Sequence, residues 1–586
     1  MVNIYYIKRE KGGYKVINAI RDIGEYFKNT ENIGEEEILK TLVTKINGDS
    51  IKDIYTINFK NDNTIETNVE EFYNDIITKA LFYQAGNGAL GGALRADFYK
   101  EEKDSKKQAE ADKKFDKKIK TTLAYCNKEE YFNEVRDLIH KRIKESGNKF
   151  LVVFLEDGKY PIDLFKDKFI KKMYSTMFNA VKGKHICHFC GNKAEVFNTT
   201  AFKFYTNDKA VYVNIDDNEK CGVVVCRDCL NDILVGRDYA EKYLTTYWMG
   251  KQVMFLPHNF NDMVQEIYES SLDVGDNNKN FLDNISVSED IVLEELGKGN
   301  TETDIIFFEK DGSKTFYIYH TIKSMLPSRF AELAANLKKY HLKLFNIIKF
   351  STAIKVGLKG IETTDKERQK IVDSIFSSRR IDRNLFFKRA MMVYKYNYIN
   401  YPEKKETKFM ISNIGKSYNF LVDCRCLQGG FDVMSKYENY EELFENNKEY
   451  FAQNEKKAWF LIGRCYDYIN YLIKKSNAGE DGKAADRSSL DKNFFFSRKF
   501  DFKDFVYFSN LLNEKMNKYR IYNKDLKNML TEGTELIVNG SGKLSSDEAK
   551  FIFFWGMNSF FKQDTNSGTE NDVNNENEVN DEVEEN

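Results

Sequence analysis

Two cysteine knuckles, HICHFCG at 185–191 and VVVCRDCL at 223–230, are the most specific signal in the sequence. The pairs Cys187 with Cys190 and Cys226 with Cys229 both have the CxxC spacing of zinc ligands. Two such pairs can close a tetrahedron of thiolates around zinc with bonds of about 2.3 Å. Four sulfur ligands leave no open coordination position, so the pattern predicts a structural zinc site.

The surroundings of the knuckles leave alternatives open. The spacer of 35 residues between the pairs is longer than the roughly 15 to 20 residues of the commonest pattern, so a strand hairpin must return the chain. Free buried thiols and a redox pair compete with zinc, and His185 or His188 could replace a cysteine ligand. Cys221 is expected to be a bystander. The other cysteines are expected to be packed or surface thiols: Cys126, Cys424, Cys426 and Cys465.

The chain as a whole predicts a multidomain α+β protein. Its 586 residues exceed the usual domain size of about 150, and a hydrophobic content of 42% is enough for buried cores. We expect the following parts: 1–180, an N-terminal mixed α/β domain; 181–250, a four-cysteine zinc-binding region inserted in it; 251–327, the remainder of the α/β part; 328–450, a helical and basic middle region; 451–562, a C-terminal helical bundle; and 563–586, a disordered acidic tail.

Local patterns predict individual elements. Strand-like runs occupy 14–20, 51–59, 149–155, 304–309 and 315–320, and Pro161 opens a helix that extends to about residue 181. Apolar residues at three- and four-residue spacing predict one long helix over 328–348, capped by Ser328. The lysine-rich segment 100–120 is expected to be a mobile arm or a solvated helix that contributes nothing to a core.

Charge is distributed unevenly along the chain. Residues 563–586 contain nine acidic side chains and no basic ones, so the first 562 residues carry 89 basic and 82 acidic side chains, a net charge of +7. This excess permits nucleic acid as a partner without demonstrating it. No apolar run approaches the ~18 residues of a membrane span, and no secretory signal is recognisable, so we expect a cytoplasmic protein that contacts no membrane.

Known catalytic patterns are absent from the sequence. It contains no GxxxxGK[ST] loop, HExxH, GxSxG or His-Asp dipeptide, and its six histidines supply few general bases. The GGFD stretch at 429–432 is interpreted as a turn, and Asp216 with Asp217 as a polar hairpin tip. The expectation is therefore a protein that is not an enzyme, although a cryptic metal-dependent nuclease is kept as an alternative.

Two segments are candidates for nucleic-acid contact. The segment 379–408 has nine basic and three acidic residues with interleaved aromatics, a composition that can hold phosphates and stack on bases. An amphipathic element with a solvated basic face explains it equally well. Its candidate residues are Arg379, Arg380, Arg383, Lys388, Arg389 and Lys395. The glycine-rich stretch near residue 90 adds Gln84, Asn87 and Arg95 as possible base or backbone contacts, against the simpler interpretation as a structural turn.

In its order of features the chain resembles a known family. These features are QAGNGALGGAL (84–94), FLVVFLEDGKYPIDLF (150–165), the paired knuckles, FYIYHTIKSMLPSRFAEL (316–333), FLIGRCYDYI (460–469) and SSDEAKFIFFWGMNSF (545–560). Together they resemble the large subunit of type I-B CRISPR interference complexes (Cascade), the Cas-eight-b family. The resemblance spans about residues 80–562, and the knuckles and the MLPSR segment are its most specific elements.

The resemblance implies a non-enzymatic subunit of a crRNA-containing assembly. Such a subunit contacts the protospacer-adjacent motif of target double-stranded DNA, stabilises the opened duplex and licenses recruitment of a separate helicase-nuclease. Its expected partners are Cascade backbone subunits and small subunits derived from its own C-terminal region, which resembles a small subunit. A zinc-stabilised scaffold without direct nucleic-acid contact remains an alternative.

Overall fold

The computed structural model describes residues 13–31, 33–44, 46, 51–85, 88–99, 102, 105–178, 180–198, 224–270, 281–311, 315–357, 360–477, 494–559 and 561. The chain divides into two units, each with its own core. Unit 1 comprises Met1–Asp283 and Thr301–Lys323, and unit 2 comprises Asn284–Asn300 and Ser324–Asn586. The predicted 251–327 part is therefore shared between the two units.

Unit 1 combines eight described helices with strands that belong to several sheets. The helices are α1 (Gly13–Thr30), α2 (Glu35–Leu42), α3 (Ile76–Lys79), α4 (Ser105–Tyr125), α5 (Phe132–Ser146), α6 (Pro161–Met177), α7 (Arg227–Tyr243) and α8 (Asp262–Glu269). The strands are β1 (Asp53–Phe59), β2 (Ile65–Glu71), β3 (Tyr83–Ala85), β4 (Gly88–Leu90), β5 (Ala93–Arg95), β6 (Phe150–Glu156), β7 (Ala180–Ile186), β8 (Lys193–Asn198), β9 (Val224–Cys226), β10 (Thr245–Trp248), β11 (Lys251–Pro257), β12 (Thr303–Asp311) and β13 (Thr315–Met325). The mixed α+β class is confirmed.

The first sheet of unit 1 has the strand order β2-β1-β6-β5. Strands β1 and β6 are parallel, and the two outer pairs are antiparallel. The apolar run Phe150–Phe154 of β6 is buried throughout, as expected for an inner strand covered on both faces. The predicted strands at 51–59 and 149–155 are confirmed.

A glycine pair links a β-hairpin to strand β5 of this sheet. Strands β3 and β4 form the hairpin, and Gly91 follows it with φ +108°. A Cβ atom on Gly91 would overlap the carbonyl oxygen of Leu81, and one on Gly92 would overlap the ring of Pro161. Only glycine allows both approaches, which accounts for the GG dipeptide in this stretch.

Helix α4 corrects the prediction for the lysine-rich segment. One face of α4 buries Phe115, Ile119 and Leu123, each at most 2% exposed, while most of its lysines point to solvent. The prediction that 100–120 contributes nothing to a core is therefore wrong at Phe115 and Ile119. These three apolar residues at helical spacing are enough to pack against the core a helix whose composition is mostly polar.

The N-terminal run 14–20 is also corrected, because it lies in helix α1 and not in a strand. Val16, Ile17, Ile20, Ile23 and Phe27 are all buried, and their three- and four-residue spacing is helical. The seven-residue window was too short to distinguish this period from strand alternation.

The other sheets of unit 1 are antiparallel where their pairing is described. Strands β7, β8 and β9 form a three-stranded sheet that carries the cysteine knuckles. Strands β10, β11, β12 and β13 lie in that order in a four-stranded sheet. The strands predicted at 304–309 and 315–320 are thereby confirmed.

Unit 2 is almost entirely helical in the part of the chain that the structure describes. Its helices are α9 (Glu289–Gly297), α10 (Pro327–Tyr340), α11 (Leu344–Thr352), α12 (Asp365–Phe376), α13 (Arg383–Asn400), α14 (Lys405–Lys408), α15 (Met410–Asp423), α16 (Tyr440–Asn446), α17 (Asn454–Asn477), α18 (Phe502–Lys518), α19 (Lys524–Val538) and α20 (Ser546–Met557). A short hairpin of β14 (Lys355–Gly357) and β15 (Gly360–Glu362) completes it.

The long helix predicted over 328–348 is two helices. His341 adopts a left-handed φ of +50° and ends α10, and α11 starts at Leu344. The N-cap is Leu326, with Pro327 in the first turn, so Ser328 is not the cap. The three- and four-residue spacing of apolar residues continues across this break because both helices bury residues in the core of unit 2.

Close helix crossings that depend on glycine organise both units. In unit 1, a Cβ atom on Gly236 of α7 would overlap the carbonyl oxygen of Ile20 of α1. In unit 2, Gly463 of α17 and Gly556 of α20 play the same role, each against the backbone of the other helix. The backbone contact between these two helices explains the glycines of the motifs FLIGRCYDYI and SSDEAKFIFFWGMNSF. Among the described residues, no helix is long and apolar enough to cross a membrane.

Candidate metal centre and nucleic-acid surfaces

The first knuckle is a tight turn between β7 and β8. The backbone N–H of Cys187 donates to the carbonyl of Asn192 (2.9 Å), and the N–H of Gly191 donates to the carbonyl of Cys187 (3.0 Å). Gly191 has φ +73°, a left-handed conformation that suits glycine. These bonds turn the side chains of Cys187 and Cys190 toward the same point.

The second knuckle joins a strand to a helix. Cys226 ends β9 and is the N-cap of α7, and Cys229 lies in the first turn of that helix. The N–H of His188 donates to the carbonyl of Val224 (3.0 Å), which ties the two knuckles together. The positive end of the α7 dipole faces the sulfur atoms, which favours thiolates.

The four predicted ligands converge. Their sulfur atoms all lie within 4.8 Å of one another, and the Sγ atoms of Cys190 and Cys226 are 3.7 Å apart. A regular tetrahedron with 2.3 Å zinc–sulfur bonds has edges of about 3.8 Å, so the donor set fits zinc. Cys190 is exposed and the other three cysteines are buried, as in a structural site near a surface.

Protonation within the cluster is uneven. A hydrogen bond from Cys229 is the main reason that the pKa of Cys187 falls to about 4, helped by the backbone N–H of Cys226, 3.3 Å from its sulfur. The same hydrogen bond with Cys187, together with burial, raises the pKa of Cys229. One thiolate is thus stabilised by the fold itself, and a bound cation would stabilise the rest.

The alternative histidine ligands have other roles. Nδ1 of His188 lies 3.2 Å from the N–H of Val224 and accepts its hydrogen. Nε2 of His185 lies 2.9 Å from the carbonyl of Lys182. The four-sulfur interpretation therefore needs neither ring. Cys221, Asp216 and Asp217 lie outside the described residues.

Helix α1 supports the second knuckle from behind. Its Gly24 would overlap the backbone of Asp232 of α7 if it carried a Cβ atom. The guanidinium of Arg21 lies 5.8 Å from the centroid of the Phe189 ring, inside the first knuckle. The position of the metal ligands therefore depends on residues more than 150 positions away, a link that the CxxC spacing alone does not reveal.

The structure places two of the three candidate residues of the glycine-rich stretch, Gln84 and Arg95. Gln84 lies in β3, paired in register with Ala89 of β4, and Asn87 falls outside the described residues. Arg95 ends β5, and its Nε donates to the Asp97 carboxylate at 2.9 Å. The same guanidinium lies 5.2 Å from the ring centroid of the exposed Phe98, so Arg95 is half-buried and held in place.

The basic segment 379–408 is divided between surface and core. Arg379, Arg380 and Lys388 are exposed, and Lys395 is partly exposed. Arg389 is only 8% exposed: its guanidinium donates to the carbonyl of Ser351 (2.7 Å) and pairs with Glu367. The structure therefore does not support a phosphate contact by Arg389.

Arg383 is likewise engaged inside unit 2. Its guanidinium pairs with the buried carboxylate of Glu548, with Nε 3.2 Å from Oε2. Lys456 approaches the same carboxylate at 3.2 Å. The first turn of α13 is therefore attached to α20 through the ion pair of Arg383 and Glu548.

One basic surface escaped the sequence analysis. The stretch 515–527, KMNKYRIYNKDLK, comprises the end of α18, the turn that follows it and the start of α19, and it carries five basic residues and one acidic residue; it is called the basic tip below. Tyr522 is 83% exposed and Tyr519 is exposed as well. Arg520 adopts φ +53°, which is costly for a residue other than glycine. The signal for this surface in the sequence is a run of cations with interleaved aromatic residues.

Comparison with known families agrees with these features. Two family models match, both described as CRISPR-associated protein TM1802: its central domain over residues 184–325 and its C-terminal domain over residues 342–571. The matched segments include both knuckles and most of unit 2, and they define a CRISPR-associated protein. The chain belongs to the TM1802 family, and the match supports a type I-B large subunit of the Cas-eight-b kind. No curated protein matches the chain.

Proposed function

We propose that this chain is the non-catalytic large subunit of a crRNA-guided type I-B surveillance complex. In this role it recognises the protospacer-adjacent motif, stabilises the R-loop and licenses recruitment of a separate helicase-nuclease. The family match over the central and C-terminal parts of the chain carries the proposal. The lack of known catalytic motifs in the sequence is consistent with it.

The distribution of charge supports nucleic-acid contact by specific surfaces. In guide-programmed recognition, base pairing reads the target, and the protein is left with a short duplex motif and the phosphate backbones. Exposed cations suit that task because they bind phosphates without reading sequence. Arg379, Arg380, Lys388 and Lys395 are the proposed contacts of the segment 379–408.

The C-terminal region is proposed to hold single-stranded DNA. Tyr519 and Tyr522 can stack on bases while Lys518, Arg520 and Lys524 contact phosphates, the combination found in sequence-tolerant single-strand sites. All five side chains are exposed on the basic tip. This supports a small-subunit-like role for 451–562, whether or not that region is also made separately.

The N-terminal part is proposed to approach the adjacent motif. Arg95, fixed by Asp97, and the hairpin that carries Gln84 and Asn87 are the proposed contacts. The glycines of this stretch allow its backbone to approach other groups closely. Zinc, bound by the four cysteines, is proposed to be structural and to take no part in any reaction.

The salt dependence of binding tests the phosphate contacts. The complex reconstituted with Arg379→Ala, Arg380→Ala and Lys388→Ala together should bind target DNA more weakly. The slope of log K against log salt should become shallower by about 0.9 for each phosphate that the variant no longer neutralises. Arg389→Lys is the matched control. The side chain of Arg389 is buried, so this substitution should leave the slope unchanged. An unchanged slope in the triple variant would favour a scaffold without nucleic-acid contact.

A cleavage assay separates this proposal from the nuclease alternative. The isolated chain is incubated with labelled DNA or RNA and Mg²⁺ or Mn²⁺. We expect no turnover, because the proposal assigns cleavage to another subunit. Sustained cleavage that follows the protein through purification would replace the proposal with an enzyme.

A further inference from the structure

Helix α4 carries a row of lysines that the function proposed above does not use. They are called the α4 ridge: Lys113, Lys114, Lys117, Lys118 and Lys120. Lys118 is half-buried and the other four are exposed. Among the described residues, no ion pair uses any of the five. Asp116 is the single acidic residue between them, so the ridge is strongly positive.

The first flank of the ridge is held by the exposed ring of Phe98. Nζ of Lys118 lies 3.7 Å from the ring centroid, and the guanidinium of Arg95 lies 5.2 Å from it. Arg95 already pairs with Asp97. Burial lowers the pKa of Lys118, and the nearby Asp97 offsets this only in part. An anion beside Lys118 would therefore favour its charged form.

The second flank repeats this arrangement at the ring of Phe132. Nζ of Lys120 lies 4.4 Å from the ring centroid, and the guanidinium of Arg136 lies 5.9 Å from it. Arg136 pairs with Asp137 at 3.0 Å. Residues two apart in an α-helix point about 160° away from each other. Lys118 and Lys120 therefore leave α4 on opposite sides.

The apolar face of α4 is not available to a partner. Phe115, Ile119 and Leu123 of this face are buried. A helix that lies on a lipid surface needs an exposed apolar face, so the ridge does not fit a membrane. Its exposed side offers charge alone, which selects a partner with many anionic groups.

The charge spacing of the ridge matches that of a nucleic-acid duplex. From Lys113 to Lys120 the helix rises about 10 Å, so it presents one cation per about 2 Å. Duplex DNA carries one phosphate charge per about 1.7 Å of its axis. The two flanks lie across a helix about 10–12 Å wide, close to the ~12 Å width of the major groove. A single strand offers only one of the two rows of phosphates.

We propose that the α4 ridge grips both phosphate backbones of a double-stranded nucleic acid, with Lys118 on one strand and Lys120 on the other. The contact at Lys118 lies beside Arg95, because both cations share the ring of Phe98. This inference deepens the proposed function and rests on it for the role of the duplex. The ridge supplies contacts that carry no sequence information and hold the duplex where Arg95 meets the adjacent motif.

Lysine footprinting of the full chain tests the surface directly. The chain is acetylated at low salt with and without a short duplex of arbitrary sequence, and each lysine is quantified by mass spectrometry. The duplex should protect Lys118 and Lys120 about fivefold or more. Lys171 and Lys323, which are exposed on other elements, should change little. Protection no greater than at these two lysines, or a chain that binds no duplex at low salt, would overturn the proposal.

The same footprint identifies the class of partner. A single strand of the same length and a polyglutamate of the same charge are the two competitors. Each should protect the two flanks about threefold less than the duplex does, because neither presents two rows of phosphates across a groove. Equal protection by the single strand or by polyglutamate would contradict the assignment to a duplex.

Neutral variants of the flanks test the role in the crRNA complex. Lys118→Met and Lys120→Met together keep the aliphatic contact with each ring and remove both charges. Affinity for target DNA should fall about tenfold, and the slope of log K against log salt should become shallower by about 0.9 for each lost phosphate contact. Lys171→Met with Lys323→Met is the matched control and should leave both quantities unchanged.

The adjacent motif separates this inference from the proposed function. The loss in the double variant should be the same for an intact and a scrambled motif, because phosphate contacts carry no sequence information. A complex that discriminates the motif but keeps its affinity and slope in the double variant would overturn the role of the ridge alone. A wild-type complex that does not discriminate the motif would overturn the proposed function, while the footprint still decides whether the ridge binds a duplex.

Discussion

The guanidinium of Arg383 reaches from the start of α13 to the buried carboxylate of Glu548 in the first turn of α20, with Nε 3.2 Å from Oε2. Glu548 also receives Lys456, so one carboxylate holds two cations inside unit 2. Its backbone N–H donates to Ser545, the N-cap of α20. A capping-box glutamate would normally return to the N-cap backbone, and here its carboxylate joins three helices.

This arrangement predicts unequal effects of removing its members. Glu548→Gln leaves two cations facing an uncharged amide and should destabilise unit 2 by about 3 to 5 kcal/mol. Arg383→Gln should cost less, because Lys456 still neutralises Glu548. The exposed neighbour Arg380→Ala should change stability by less than about 0.5 kcal/mol. Urea unfolding followed by tryptophan fluorescence measures the differences, and equal losses in all three variants would contradict the assignment.

The ion pair of Arg389 and Glu367 predicts a pH dependence. Hydrogen bonds from Arg389 first, and then from Lys370, lower the pKa of Glu367 below its usual value near 4.5. A carboxylate with a lowered pKa in the folded state stabilises the fold above its unfolded pKa. This stability is lost as the pH falls below about 4.5 toward the folded pKa.

Glu367→Gln should therefore be less stable than wild type at pH 7 and should lose less on acidification. Thermal unfolding between pH 7 and pH 3 gives the two curves, which should converge at the acid end. Curves that remain parallel over the whole range would show that the pair contributes no linked stability. Glu362→Gln, at an exposed site in β15, is the control for a general charge effect.

The metal centre predicts one zinc per chain in protein purified without chelator. Cys226→Ser removes one ligand and should lower the bound zinc well below one equivalent and loosen the β7-β8-β9 sheet. Cys465→Ala, a buried cysteine in α17, should retain the metal. Zinc content by mass spectrometry decides this, and wild-type protein without zinc would contradict the site.

The α1–α7 crossing predicts a steric effect independent of charge. Gly236→Ala places a methyl group against the backbone of Ile20, and α1 cannot yield without disturbing Gly24. We expect a loss of about 1 to 3 kcal/mol or more. Gly34→Ala, where nothing lies within 4 Å of the new methyl group, should cost less than about 1 kcal/mol. Comparable effects at both sites would show that the crossing is looser than described.

The parts of the protein that could be predicted from sequence are those fixed by local spacing. The cysteine knuckles and the buried run of β6 both follow from local patterns of residues that do not depend on the tertiary arrangement. The mixed α+β class followed from them. Errors arose where a short window hides the period, as at 14–20 in α1, or where a single left-handed residue such as His341 breaks a helix.

Charged side chains were harder to place than apolar ones. Lys388 and Arg389 are neighbours in sequence, yet one is exposed and the other is buried against Ser351. Composition counts both as basic, because it cannot show which face of α13 meets α11. The buried partner of Arg383, 165 residues away, has no local signal either. The basic tip was missed because its cations are divided between the end of α18, the turn that follows it and the start of α19, so none of these parts is strongly basic by itself.

The central claim is that this chain makes a guide-programmed complex sensitive to DNA beside the target. The most direct measurement reconstitutes the crRNA complex with and without the chain and presents a target whose flanking positions are randomised. Sequencing of the bound fraction should show enrichment of one short flanking motif only when the chain is present. A flanking distribution that stays the same with and without the chain would contradict the account.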